Sequence, residues 1–340
     1  MALHWYIARR LLTVVPQVLG ICTVTFILIH LLPGNPAYVM AGPLASKDTI
    51  ATITHSMSLD KPIFIQYLLY LRGLLHGDLG RSWYTGQPVA TDIGTRFPAT
   101  FELISTALLL IFLASMLIGL VTARRRQGPL TRLINRGTFL YGLVAGALPD
   151  FWIGLMFVFF LYFVFRIAPA PVGQIDITLQ APHRLTGMYV VDSLLTGNWT
   201  VFRSAVAHLI LPAVTLAFVY GGPVIKMVRS SVGQVKGADF VCYADACGLP
   251  QGMLTRYTLR NALPPVITLT AVMYAYLLAG AVLVETIFSW GGMGQYAVQS
   301  IANSDYLAIQ AVVLVAGIFS LVIYLVIDLL HLAIDPRVSY

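Results

Sequence analysis

Asp239-Phe-Val-Cys-Tyr-Ala-Asp-Ala-Cys-Gly248-Leu-Pro-Gln-Gly-Met-Leu-Thr-Arg-Tyr-Thr-Leu-Arg-Asn-Ala-Leu-Pro264 is the longest polar interruption in the C-terminal half of the chain that also carries helical signals. Gly248 reaches a left-handed backbone at no steric cost, so it reads as the end of one helix. Pro250 follows two residues later and suits the first turn of the next, where its missing N–H is not needed. The stretch therefore predicts two short helices hinged at Gly248. Phe240, Val241 and Ala244 fall at one-turn spacing and offer a docking face; Arg256 and Arg260 are one turn apart on the second helix. An ordinary amphipathic loop is the plainer alternative.

Composition says where such a helix pair must sit. Of 340 residues, 58% are hydrophobic and 10% charged. A water-soluble domain carries about 25% charged residues, so this chain cannot cover a soluble surface and reads as an integral membrane protein. Cys22 lies in an apolar run, and Cys242 and Cys247 lie in the polar stretch. No disulfide framework follows, and without a companion His a metal site is not indicated.

Six apolar runs can cross a bilayer: Leu11 to Leu32, about Thr100 to Val121, Thr138 to Phe165, about Ala205 to Val228, about Val266 to Val284, and about Tyr306 to Leu332. The first, behind Arg9 and Arg10, has 22 residues, about 33 Å of helix, and is too long for a typical signal-peptide core. The third has 28 residues with Pro149-Asp150 at its centre. It predicts one helix, tilted or broken at Pro149; two spans with a turn is the alternative. Between the first two spans, Ile63 to Leu75 reads as a short amphipathic helix. Residues 167–205 read as loop. No internal repeat is visible, and the chain divides into 1–98, a first transmembrane helix with an external loop, and 99–340, a core transmembrane domain whose polar loop covers 229–264.

Six spans place both termini on one side with the 124–136 and 226–264 loops. That side then carries thirteen Lys and Arg against Asp239, Asp245 and Asp335, a balance of +10, while the rest of the chain totals −3 and the whole +7. Basic loops stay cytoplasmic, so topology accounts for the excess charge and no nucleic-acid partner is required. Two spans within 138–165 would put the Lys226–Arg260 loop outside, against the charge rule.

Catalytic signals are missing. The four lysines, Lys47, Lys61, Lys226 and Lys236, lie in no phosphate-binding loop, and no two of the seven histidines stand at helical ligand spacing. Acids within spans are the informative polar positions, because charge in hydrocarbon is costly and turns toward a cavity or a partner. Asp150 in the third span and Glu285 beyond the fifth are the candidates for a translocation path. Glu102 reads as interfacial, and Asp328 as a structural partner near a helix end.

Ala244-x-Ala246-x-Gly248 followed by Arg260-Asn-Ala-Leu-Pro264 resembles the cytoplasmic "EAA" loop of ABC-importer permeases, above all the dipeptide/oligopeptide/nickel branch. Cys242 stands where the general motif has Glu, and Tyr243 where it has the first Ala. The same branch is resembled by Pro33-Gly-Asn-Pro36, Leu59-Asp-Lys-Pro62, His76-Gly-Asp-Leu-Gly-Arg-Ser82 and Glu285-Thr-Ile-Phe-Ser-Trp-Gly-Gly-Met-Gly294, with Gly291 in place of Pro. The resemblance implies an all-α, six-span type I importer fold in the bacterial inner membrane. It also implies a second homologous permease, two ATPase subunits that carry ATP and Mg, and an extracytoplasmic binding protein that delivers peptide, or in a rival reading nickel. On this resemblance Phe240, Val241, Tyr243, Ala244, Asp245, Gly248 and Leu249 form the coupling helix that docks in the ATPase, and the chain itself holds no cofactor. An ion-coupled secondary transporter is a separate reading, resting on Asp150 and weakened by the lack of inverted repeats; a membrane enzyme has no motif behind it.

Overall fold

The computed structural model describes residues 3–31, 38, 45–56, 58–123 and 128–334. Among them the secondary structure is helical, with a single isolated bridge, Arg81 to Pro88. The helices are α1 (Leu3–Leu31), α2 (Lys47–Ser56), α3 (Ile63–Leu75), α4 (Val89–Ala123), α5 (Pro129–Ala145), α6 (Asp150–Phe157, continued by a π-helical turn Val158–Val164), α7 (Tyr189–Leu195), α8 (Trp199–Lys236), α9 (Asp239–Ala246), α10 (Gln251–Ile287), α11 (Met293–Ala302) and α12 (Tyr306–Ile334). Four of them are long and apolar enough to cross a bilayer: α4, α8, α10 and, over Tyr306–Ile327, α12. The pair α5 and α6 makes a fifth if counted once, and Leu12–Ile27 of α1 forms a shorter apolar helix. Pro33-Gly-Asn-Pro36, Arg124 to Arg126, the Asp335-Pro336-Arg337 tail and the Asp328 side chain lie outside what is described.

The third apolar run departs from a tilted single helix. It starts earlier, at Pro129, and breaks between Ala145 and Asp150 with a bend of 113°. Pro149 explains the break. Its ring disfavours helical backbone at Leu148, and Pro149 itself is extended at ψ 144, the N-cap of α6. Neither half has the roughly 20 residues a crossing needs, so the two count as one broken span at most. Two more stretches read as loop contain helices: Lys47–Ser56, and Tyr189–Leu195 within 167–205.

The chain forms two compact units. One comprises residues 1–97 and 295–322, the other 98–294 and 323–340. In the first, α1 packs on α3 through Thr23 and Tyr67 hydroxyls 2.7 Å apart and a Phe26–Tyr70 stack. The His76–Ser82 motif is a turn whose Ser82 hydroxyl donates to Asp305 Oδ2 at 2.5 Å, both residues 1% exposed. Asp92 likewise accepts from Thr85 and from Tyr296, whose ring lies under the Arg96 guanidinium at 4.7 Å.

In the second unit α8 and α10 are the central pair, each buried along one face for most of its length. The Glu285–Gly294 element closes the end of α10. Thr100 donates to Glu285 Oε1 at 2.6 Å and accepts from Met293 N–H at 2.8 Å, and the Trp290 indole N–H donates to the Ala99 carbonyl at 2.9 Å. A side chain at Gly294 would lie 2.6 Å from Val282 Cα, so only glycine fits that approach. Glu102, expected at the interface, is buried at 6% and accepts from the N–H groups of Tyr189 and Val190, each at 3.0 Å. It satisfies the open donors of α7, where negative charge is favoured.

Asp192 organises the turn just before α7. It accepts from the N–H groups of Leu185, Thr186 and Gly187 and from the Thr186 hydroxyl. Burial pushes its carboxyl up, but the Thr186 hydroxyl and these amides outweigh that and hold it below the ordinary aspartate value. The charged form is therefore favoured by folding. Its stabilisation is complete above the unfolded value of about 3.9 and is lost as pH falls through the lower folded value. We expect amide protection at residues 185–187, followed by hydrogen exchange, to hold from neutral pH to about 4 and to collapse only in stronger acid; Asp192→Asn should abolish that acid limb. Gly294→Ala should lower the thermal midpoint, with a cost of about 1–3 kcal/mol from overpacking. Gly137→Ala, where a Cβ meets nothing within 4 Å, should not lower it.

Candidate functional site

Helix α9 is eight residues long and is held at both ends. Asp239 sits in its first turn, where a carboxylate complements the exposed N–H groups. At its other end Gly248 is left-handed at φ +78. Leu249 N–H donates to the Ala244 carbonyl at 3.2 Å and Gly248 N–H to Asp245 at 2.9 Å. These are the two bonds of a Schellman motif. The chain then turns through Pro250, N-cap of α10 at φ −63, whose carbonyl accepts from Met253 and Leu254.

The second helix is not short. It runs unbroken through Pro264 and Pro265 to Ile287, 37 residues or about 55 Å. The two-helix reading is corrected on this point: the polar half of the stretch is the first few turns of the helix that also forms the next span. Positions 264 and 265 bear the two prolines, yet burial of Leu254, Thr258, Ala262 and Val266 on one continuous face keeps the helix intact.

The docking face is corrected as well. Val241 and Ala244 are 6% and 8% exposed, so they are turned into their own chain, whereas Phe240 and Tyr243 are 47% and 74% exposed. A cavity of about 210 Å³ beneath α9 is lined by Val241, Cys242, Lys236, Leu254 and Thr258. Outward, Phe240, Tyr243 and Cys247 lie at i, i+3 and i+7, one stripe of the helix. Gly248 is exposed, and Asp245 and Leu249 are half-buried. Of the seven expected residues, Val241 and Ala244 thus turn inward, Phe240 and Tyr243 turn outward, and Asp245, Gly248 and Leu249 belong to neither pair. Lys236, at the end of α8, donates to the Thr122 carbonyl at 2.8 Å and ties the base of α9 to the end of α4, a contact 114 residues apart in sequence that spacing cannot show.

The two expected path acids differ. Asp150 is half-buried at the α5–α6 bend, accepting from Phe151 N–H at 2.8 Å and the Tyr220 hydroxyl at 3.2 Å. Glu285 is fully buried against Thr100, which makes it a packing element of its own unit. Among the described residues no three His, Cys, Asp or Glu cluster to hold a metal.

Helices of this length and apolarity, joined by a short polar helix with an aromatic outer stripe, define a membrane-embedded transport component. The chain belongs to the family of binding-protein-dependent transport system inner membrane components. Residues 115–340 match that family's profile, and residues 3–104 match the N-terminal profile of the same transport system. It is 40% identical over 337 residues, 98% of each chain, to the probable D,D-dipeptide transport system permease protein DdpB of Escherichia coli (strain K12). It is 35% identical over 336 residues, 98% of this chain and 99% of the relative, to the dipeptide transport system permease protein DppB of Alkalihalophilus pseudofirmus. It is 30% identical, again over 336 residues with 98% and 99% covered, to the glutathione transport system permease protein GsiC of Salmonella choleraesuis.

Two substitutions separate the roles of α9. Val241→Asp should bury an unpaired charge and cost several kcal/mol, seen as loss of folded protein in the membrane. Tyr243→Ala should leave the folded yield unchanged. Gly248→Val should cost about 1–2 kcal/mol from a left-handed β-branched residue, read as a lower thermal midpoint.

Proposed function

We propose that this chain forms, with a second homologous permease, the translocation path of an ATP-driven importer of short peptides. Two ATPase subunits carry ATP and Mg, and a binding protein outside the membrane delivers the cargo. The observation that carries the coupling is the outward stripe of α9, two exposed aromatic side chains on a helix locked by Gly248 to a 37-residue rod. Exposed aromatics in a small patch are the residues most able to anchor a partner. The peptide cargo is supported by the substrates named for the relatives. The charge balance supports an orientation with both termini and α9 in the cytoplasm. In this reading the chain has no catalytic activity, Asp150 with Tyr220 borders the path, and nucleotide-driven closure of the ATPases moves α9.

The test is uptake of labelled dipeptides, tripeptides, glutathione and nickel in a strain lacking this chain and complemented with variants. Wild type should restore uptake of a peptide. Phe240→Ala with Tyr243→Ala should reduce it about tenfold or more while the protein still inserts. Cys242 on α9 and Cys247 at its C-cap are exposed, so a thiol-to-amine crosslinker should join them to an ATPase subunit. Nickel uptake without peptide uptake would overturn the cargo; full uptake by the double variant would overturn the coupling.

A further inference from the structure

A groove of about 800 Å³ runs between α5 and α8, within the roughly 300–1,000 Å³ of small-molecule sites. Arg229 lies beside Asn135, Arg136 and Phe139, and Gly222 beside Ala145, so the two helices run in opposite directions along it. The lining is graded. Towards one end stand Lys226, Arg229 and Ser230 of α8 with Asn135 of α5, beyond which Val232, Gly233, Lys236 and Thr122 continue the lining, and Arg136 flanks the adjoining cavity. Further in, α5 contributes Phe139, Gly142, Leu143 and Gly146 and α8 contributes Gly222 and Pro223. Among the described residues the side chains of Arg136, Lys226 and Arg229 have no ion pair or hydrogen bond, and Lys226 and Arg136 are exposed. Three cations without a partner among the described residues thus border one part of a groove whose other part is apolar.

Depth in the bilayer fits that gradient. Helix α8 has 38 residues, about 57 Å, against a hydrocarbon core of about 30 Å. Its last eleven residues, Lys226 to Lys236, rise about 15 Å, within the length by which the helix exceeds that core. Gly142 leaves the apolar part open, since a Cβ there meets nothing within 4 Å.

We infer that this groove holds an anionic phospholipid, its phosphate among Arg136, Lys226 and Arg229 and an acyl chain along Phe139, Gly142 and Leu143. Basic pockets between transmembrane helices select such headgroups, and each Lys or Arg near the surface adds to the attraction. A free phosphate would use the cations and leave the apolar depth empty. The lipid sits where α5, α8 and the end of α4 meet, about two turns from the Lys236–Thr122 contact, which also lines the groove.

The test uses the assembled transporter in nanodiscs of neutral phosphatidylcholine doped with phosphatidylglycerol that carries a photoreactive acyl chain. Irradiation should label peptides within 135–146 and 222–236. Arg136→Gln, Lys226→Gln and Arg229→Gln together should reduce that labelling about tenfold or more, while a photoreactive phosphatidylcholine probe labels wild type and variant alike. Gly142→Leu keeps every cation and fills the furrow, and should also reduce labelling. Equal phosphatidylglycerol labelling of wild type and triple variant overturns the assignment, as does displacement of the label by inorganic phosphate. Labelling of the isolated chain but not of the assembled transporter overturns it too, because another subunit then covers the groove.

Discussion

Hydrocarbon offers no partner to a polar group, so every helix end and every acid near the bilayer must find one within the chain. That constraint organises this molecule. Glu102 takes the open donors of α7, Lys236 meets the Thr122 carbonyl in the last turn of α4, and Asp305 and Glu285 each accept from a hydroxyl that the sequence places far away. Glu102, Asp305 and Glu285 are all buried acids held by hydrogen bonds within the chain. Asp150 differs, since it remains half-exposed at a bend where backbone pairing is interrupted.

Much of the fold was legible in local chemistry. Apolar run length located α4, α8, α10 and α12, Gly248 and Pro250 marked the turn after α9, and Ile63–Leu75 was found to the residue because its flanking Pro62 and Gly77 punctuate it. The motif residues 239–264 and 285–294 carried the family. Hydrophobicity alone could not say how long each helix continues into water. α8 and α10 extend well past their apolar cores because polar residues there are good helix formers and Leu254, Thr258, Val228 and Val232 keep one face buried.

The candidate site was legible as a location but not as a surface. Three apolar residues at one-turn spacing on an eight-residue helix do not reveal which way the helix is rolled. Val241 and Ala244 turned inward because the groove between α9 and α10 needed filling, and Phe240 and Tyr243 were left outside by the same rotation. Contacts such as Tyr220 to Asp150, 70 residues apart, carry no local signature at all.

Because α10 is one uninterrupted helix, the turn at Gly248–Pro250 that follows α9 and the Trp290 clasp lie at the two ends of a single shaft. Such a shaft needs no relay of side-chain rearrangements to carry a displacement across the membrane. Its stiffness is least at Pro264 and Pro265, where two successive backbone donors are missing. A displacement at one end of α10 would be divided there, part passing through as translation and part spent as flexure.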